Sequence, residues 1–274
     1  MSSGGFPRSV LIHGTGLIGS SIALALKKHF PGLPIYGVDS PEVLEKARRI
    51  GAVEAGTVER ADLIVLATPV GSILKLLDKC SPGGSSLIID VGSTKLAICH
   101  KAQLLGLPFV GGHPMAGSEK AGPDSASAEL FEGEPFFLCP ISTTPEGAVA
   151  RLTPIIKAIG AKPIVLDADR HDRLVARISH LPQILSTALA DYTAGEKAFA
   201  GPGWRSMTRL GSSPFHVWRD ILQTSGSLPV ELESFITHLR AVVTALEAGN
   251  TQEIEAMFDR ANGSDTGENH EQGL

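Results

Sequence analysis

Residues 8–26 read RSVLIHGTGLIGSSIALAL, and this stretch decides the fold. A short apolar run at 8–13 ends at glycines. Apolar residues then recur at Leu17, Ile18, Ile22, Leu24, Ala25 and Leu26, the spacing of a helix packed on a sheet. Gly14, Gly16 and Gly19 fit G-x-G-x-x-G between that strand and that helix. In such a setting the first glycine permits the tight turn and the second lets backbone approach a pyrophosphate. The third lets helix and strand pack closely. The helix start offers unpaired N–H groups and a positive dipole end to phosphates. Asp39 ends the next apolar run, 20 residues past Gly19. A carboxylate there takes the two ribose hydroxyls of NAD and repels the 2′-phosphate of NADP. The expected cofactor is therefore NAD, held by Gly14, Thr15, Gly16, Leu17, Ile18, Gly19 and Asp39, with Thr68 and Pro69 from the segment ATPV at 67–70.

The pattern repeats outward from this stretch. Strand-like runs at 35–38, 62–67, 86–91, 108–111, 135–139 and 163–167 alternate with helix-like segments at 41–50, 70–79, 94–105 and 145–159. Short buried strands alternating with helices imply parallel βαβ units. After residue 167 the texture changes. Residues 169–192 read as one long helix with Pro182 inside it, where a kink is expected. Residues 201–214 read as loop. Leu232, Phe235, Ile236, Leu239, Val242, Val243 and Leu246 keep helical spacing over 229–248, and a short helix comes next at 251–261. The expected fold class is α/β: a Rossmann-type, doubly wound, mostly parallel sheet over 1–167, followed by an all-helical dimerisation domain over 168–262 and a disordered tail over 263–274.

The chain has 274 residues, 43% hydrophobic and 19% charged, which is enough apolar material for a core. A net charge of −5 disfavours a general nucleic-acid binder, which needs a positive excess. No apolar run reaches membrane-spanning length, and MSSGGFPRSV lacks the apolar stretch of a signal peptide, so a cytoplasmic protein with no membrane partner is expected. Cys80, Cys99 and Cys139 lie far apart in no metal-binding spacing and read as reduced thiols, so no metal is expected. The broad apolar stripe over 232–246, on a small helical segment, predicts a homodimer.

A second motif, GGHPMAGSEKAG at 111–122, comes after a strand at the carboxyl edge, where open α/β sheets bind ligands. A histidine there, His113, can take a proton from a hydroxyl near neutral pH. His29, His100, His238 and His270 read as solvated, and His13 as structural at a strand end. The pair His171-Asp172 reads as the opening of the long helix, with the aspartate suited to its N-terminal dipole. Ser179 and Gln183, four apart on that helix, share a face.

Six ordered segments, GTGLIGSSIALAL (14–26), ATPV (67–70), DVGSTK (90–95), GGHPMAGSEKAG (111–122), HDRLVARISHLPQ (171–183) and GPGWRSMTRL (201–210), together resemble the prephenate/arogenate dehydrogenase family of tyrosine biosynthesis. The resemblance covers about residues 8–250. It implies NAD-dependent oxidative decarboxylation of a small-molecule substrate: prephenate to 4-hydroxyphenylpyruvate, or arogenate to tyrosine. By the same resemblance His113 is the catalytic histidine at the ring hydroxyl, and Ser93 sits between it and the nicotinamide. His180 faces the site, Arg209 grips the ring carboxylate, and Glu119 and Trp218 fall at pocket positions, while Ser179 and Gln183 join the substrate side through the helix face they share. Gln183 and Ser206 depart from the histidine and the acidic residue that many members carry, and both positions lie near the substrate's side-chain end. Another NAD-dependent dehydrogenase of hydroxy acids or imines on the same architecture, or a non-catalytic NAD-sensing protein, are the alternative readings.

Overall fold

A computed structural model describes residues 6–263, apart from 57, 59 and 118–121. The expected tail beyond 263, and Glu119, therefore lie outside the described residues. By contact the chain divides into two compact units, up to Ser227 and from Leu228.

The first unit is built on a seven-stranded sheet in the order β2-β1-β3-β4-β5-β6-β7. The strands are β1 Val10–His13, β2 Ile35–Val38, β3 Leu63–Leu66, β4 Leu87–Asp90, β5 Phe109–Pro114, β6 Pro135–Pro140 and β7 Lys162–Val165. All neighbours run parallel except β5 and β6. The helices between them are α1 Leu17–His29, α2 Pro41–Arg49, α3 Val70–Leu77, α4 Leu96–Leu104 and α5 Ala148–Ala158. Alternate strand residues feed two separate cores. Leu63, Val65, Leu87, Ile89 and Val110 pack with α1 and α5, while Leu66, Ile88 and Phe109 pack with α3 and α4. Burial on both faces is why these strands read as unbroken apolar runs rather than as alternating ones.

The chain leaves β1 for β2 on one side and returns to β3 on the other, so the sheet has its switch point between β1 and β3. Open α/β sheets bind ligands in the crevice at such a point. There Gly14, at φ +94°, lies so close to the next loop that a Cβ would fall 2.4 Å from the Ala67 carbonyl oxygen.

Two boundaries differ from the sequence pattern. The strand expected at 108–111 continues to Pro114, so His113 sits on β5 and not in a loop. Register with β4 ends at Ile89↔Val110, and the antiparallel return of β6 carries β5 onward, with His113 opposite Phe137. The two glycines before His113 serve a close approach, since a Cβ on Gly112 would lie 2.4 Å from the Asp90 carbonyl oxygen. Residues 201–214, expected as loop, hold α8 Pro202–Met207 and a 3₁₀ turn, Arg209–Ser212. Pro202 at the first helical position presets φ and starts α8. The 3₁₀ turn is tied to the long helix by side chains of that helix, not by a pattern of its own.

That long helix runs as α6 Ala168–Val175, a π-helical turn Ala176–His180, and α7 Leu181–Tyr192. Pro182 has no N–H for the Ile178 carbonyl, and the widened turn accommodates this in place of a simple kink. Asp167 caps α6, accepting from Arg170 N at 2.8 Å. The sequence pattern predicts no element at 215–224, where α9 Phe215–Thr224 completes the first unit.

The second unit comprises α10 Leu228–Glu247 and α11 Thr251–Ala261. Gly249, at φ +64°, ends α10, and Asn250 caps α11 by accepting from Glu253 N at 3.2 Å. Val230, Leu239, Val243 and Leu246 on α10, with Phe258 on α11, are exposed. No helix among the described residues is long and apolar enough to cross a membrane.

Candidate active site

A cavity of about 370 Å³ opens at the switch point, lined by Gly16, Leu17, Ile18, Thr68, Pro69, Gly92, Ser93 and residues of α9. Its floor is the start of α1. Gly16 there has no capping side chain, and α1 has no acidic residue in its first turn. Added to Gly16, a Cβ would meet nothing within 4 Å, so a ligand can come close to the backbone here, where the first N–H groups of the helix have no partner within it. Gly19, by contrast, has no room for a side chain, with a Cβ falling 1.9 Å from Gly14 O. The Thr68 hydroxyl oxygen is buried and finds no hydrogen-bond partner among the described residues. Asp39, exposed at the end of β2, accepts from Thr15 N at 2.7 Å and Ser40 N at 2.7 Å, which fixes its carboxylate beside the glycine loop. These features fit a dinucleotide: anion donors, a close backbone approach and a carboxylate beside the glycine loop. On α9, His216 and Asp220 also line the cavity, and Asp220 accepts from Gly71 N, at the start of α3, at 2.9 Å. Sequence reasoning picked Trp218 from this segment by resemblance but missed His216 and Asp220, which stand in none of the six matched segments.

The next wall is set by one carboxylate. Asp90, fully buried at the end of β4, pairs with fully buried Lys95. Asp90 also accepts from Gly92 N at 2.8 Å and from Gly112 N at 3.1 Å. The residues immediately before Ser93 and before His113 are thereby held by the same group. Ser93 is half-buried on the cavity wall.

His113 is 8% exposed, with Nδ1 2.9 Å from Nε2 of fully buried His171. Nδ1 of His171 lies 2.8 Å from Asp172 Oδ1. Asp172 does not serve the start of its own helix as expected. It accepts from Lys95 N at 2.7 Å and Leu96 N at 3.0 Å, at the start of α4. Sequence reasoning could place the pair on a helix but not see α4 opposite it. Phe137 stands edge-on to His171, ring centroids 5.2 Å apart, and closes the apolar side.

His180 is buried, with Nδ1 2.8 Å from Ser225 Oγ and its ring edge-on to Trp218 at 5.9 Å. Its Nε2 is buried without a partner among the described residues. At about 100° per residue, nine helical positions would set His171 and His180 on opposite faces. The π turn between them shifts that register, and His180 comes within electrostatic reach of His171 and His113. Ser179 is half-buried on the same turn.

Gln183 is buried and engaged. Its carboxamide donates to Leu210 O at 2.7 Å and to Thr187 Oγ1 at 3.3 Å, while Ser186 Oγ accepts from Gly211 N at 3.0 Å. These bonds seat the turn that begins with exposed Arg209 against α7. Ser206 is exposed on α8.

Burial depresses the proton affinity of all three inner histidines. It holds His113 well below the ordinary value, with the neighbouring charges of His171, Lys95 and His180 acting in the same direction. It lowers His171 against the pull of Asp172, and it brings His180 down to about 4. The site thus offers neutral imidazole at neutral pH, a proton acceptor in apolar surroundings.

Two family models match the chain: the prephenate dehydrogenase nucleotide-binding domain over residues 22–165 and the prephenate dehydrogenase dimerization domain over 167–260. A prephenate dehydrogenase of Lactococcus lactis is 34% identical over 92% of this chain and 75% of its own length. A cyclohexadienyl dehydrogenase of Zymomonas mobilis is 32% identical over 87% and 88%. Among solved structures, prephenate dehydrogenase from A. aeolicus in complex with hydroxyphenyl propionate and NAD+ superposes with a TM-score of 0.87 at 26% identity, covering 94% of this chain and 96% of that one. Synechocystis arogenate dehydrogenase gives 0.79 at 30% identity, covering 93% and 98%.

The depressed histidines make stability pH-dependent in a defined direction. Unfolded histidines titrate near 6.5, so between about pH 6.5 and about 4 the unfolded chain binds protons that the folded site refuses. Stability is therefore expected to fall on acidification through that window. Urea unfolding of His180→Asn should show a shallower loss between those limits than the wild type, and an equal slope would rule out His180 as a contributor.

Proposed function

The chain belongs to the prephenate dehydrogenase family, and on that premise we propose that it oxidatively decarboxylates prephenate, arogenate or both, with NAD as cofactor. The observation that carries this reading is the Asp90 carboxylate, which ties the Ser93 loop on the cofactor cavity to the strand bearing a neutral, buried His113. When bound, NAD supplies the hydride acceptor. The start of α1 and the backbone around Gly14 and Gly16 would hold its pyrophosphate, and Asp39 its ribose. Thr68 and Pro69 line the same cavity.

His113 accepts the proton of the substrate's ring hydroxyl as that carbon becomes a carbonyl. The acceptor must be neutral for this, and burial keeps it so. Ser93 orients the same hydroxyl from the cavity wall. Arg209 holds the ring carboxylate, where guanidinium geometry suits a two-point contact. Departure of CO2 then leaves an aromatic ring, whose formation drives the step. His180 and Trp218 form the apolar side of the pocket, with Ser179 at its margin. Gln183 contributes through the Arg209 turn that it holds. The enzyme works in the cytoplasm as a homodimer through its helical segment, whose exposed Val243, Leu246 and Phe258 need cover.

Steady-state kinetics with prephenate and arogenate test the reading directly, and turnover of neither overturns it. His113→Asn is expected to lower kcat by about 10²–10⁴-fold with NAD binding retained, the usual scale for losing a general base. Arg209→Gln should instead raise KM strongly, because it removes a partner from a carboxylate already present in the ground state. An unchanged KM would place that carboxylate elsewhere.

Cofactor choice depends on Asp39. NAD should be preferred over NADP by at least about tenfold in kcat/KM, or about 1.4 kcal/mol. Asp39→Ser should narrow that gap, and equal use of the two cofactors by the wild type would refute the assignment. Sedimentation at micromolar concentration is expected to give a dimer, and a stable monomer would count against the helical interface.

A further inference from the structure

The proposed reaction needs one nitrogen of His113 to carry a lone pair toward the substrate, and groups behind the ring settle which nitrogen that is. Backbone N–H groups can only donate, and two of them, Lys95 N and Leu96 N, point at the Asp172 carboxylate at 2.7 and 3.0 Å. Both oxygens of Asp172 are therefore acceptors. The hydrogen in its 2.8 Å contact with His171 consequently belongs to His171 Nδ1. A neutral His171 then bears a lone pair on Nε2. The 2.9 Å contact between that atom and His113 Nδ1 requires the hydrogen on His113. Nε2 of His113 is left as the lone-pair nitrogen.

We infer that His171 and Asp172 are positioning residues that set the tautomer of His113 and support positive charge on its ring as Nε2 takes up a proton. This inference rests on the proposed reading of His113 as the base. The groups facing the histidine pair favour it. From the β4–α4 segment come Lys95 and Asp90, which are paired with each other; from the π turn comes His180. Cys99 and Cys139 lie nearby as neutral thiols, burial pushing Cys99 up to about 12. Asp90 opposes the charge of Lys95 at His171, where the negative charge of Asp172 acts directly. Phe137 and the pair's burial exclude water that would otherwise scramble the tautomers.

Two measurements on the intact protein test this. Nitrogen-15 NMR of labelled histidine reads the tautomers without turnover. His113 is expected as the Nδ1–H form in the wild type and to lose that form in His171→Leu. An Nε2–H form in the wild type overturns the inference, whatever the substrate proves to be. Kinetics supply the second arm. His171→Leu should lower kcat by about 10²-fold, with KM and NAD affinity unchanged. His171→Gln, whose amide oxygen can accept the same hydrogen, should recover part of that loss. Asp172→Asn should move the acid limb of the kcat profile to lower pH, because a base deprived of its counter-charge binds protons less well. A His171→Leu enzyme with wild-type kcat sinks the inference while leaving His113 as base. A wild type inactive on both substrates sinks the reaction reading, and the NMR result then decides the tautomer relay alone.

Discussion

A single buried carboxylate organises the catalytic edge of this sheet. Asp90 ends β4 with no access to water, so its charge must be answered within the protein. Lys95 answers it from the start of α4, and the N–H groups of Gly92 and Gly112 take up its remaining lone pairs. A pair so buried adds little net stability relative to an apolar replacement, but removing either partner strands a charge at a cost of about 3–5 kcal/mol. The pair chiefly secures geometry. The loop bearing Ser93 and the strand bearing His113 cannot move apart without breaking it. Lys95 has a second task, because its backbone N–H holds Asp172, which brings α6 to the same edge.

Side chain to backbone bonds fasten helices to that edge in addition to their apolar packing. Asp172 meets the start of α4, and Asp220 meets the start of α3. Each carboxylate satisfies donors that a helix start leaves open, in the region where the dipole favours negative charge. The π turn then resets the direction in which α7 presents its side chains. Without it, His171 and His180 would point in opposite directions, and one of them would leave the site. Gln183 and Ser186 continue the same strategy one turn later, holding the backbone of the turn that carries Arg209.

The order of elements was legible because it depends on local causes. Gly14, Gly16 and Gly19 are dictated by a turn, an approach and a packing contact that lie within one βα unit. The helix at 17–29 ends just before the Pro31-Gly32 turn, and the one at 251–261 lies between the Asn250 cap and Gly263. His113 was legible as a special residue from its neighbours, although its place on a strand was not. That place depends on β6 returning antiparallel to extend β5 past the end of β4, a pairing between segments 24 residues apart at His113 and Phe137. The helical turns at 202–212 were illegible for a similar reason, since Gln183 and Ser186 hold the second of them from outside.

Sequence alone thus determined the α/β class, the glycine loop with its distant carboxylate, the change to helices after 167, and the histidine at the sheet's carboxyl edge. All of these stem from hydrophobic period, turn chemistry and motif spacing, which act over a few residues or one supersecondary unit. Tertiary structure alone decided what surrounds His113. Asp172 looks like a helix-start residue until α4 is set opposite it, and the burial of Lys95 against Asp90 is visible only in the folded chain. The backbone and His171 donate to Asp172, and His113 donates to His171, only once those groups are within 3 Å of one another. Contacts between residues 58 positions apart, as His113 and His171 are, leave no local periodicity, because they are set by how the sheet and helices pack.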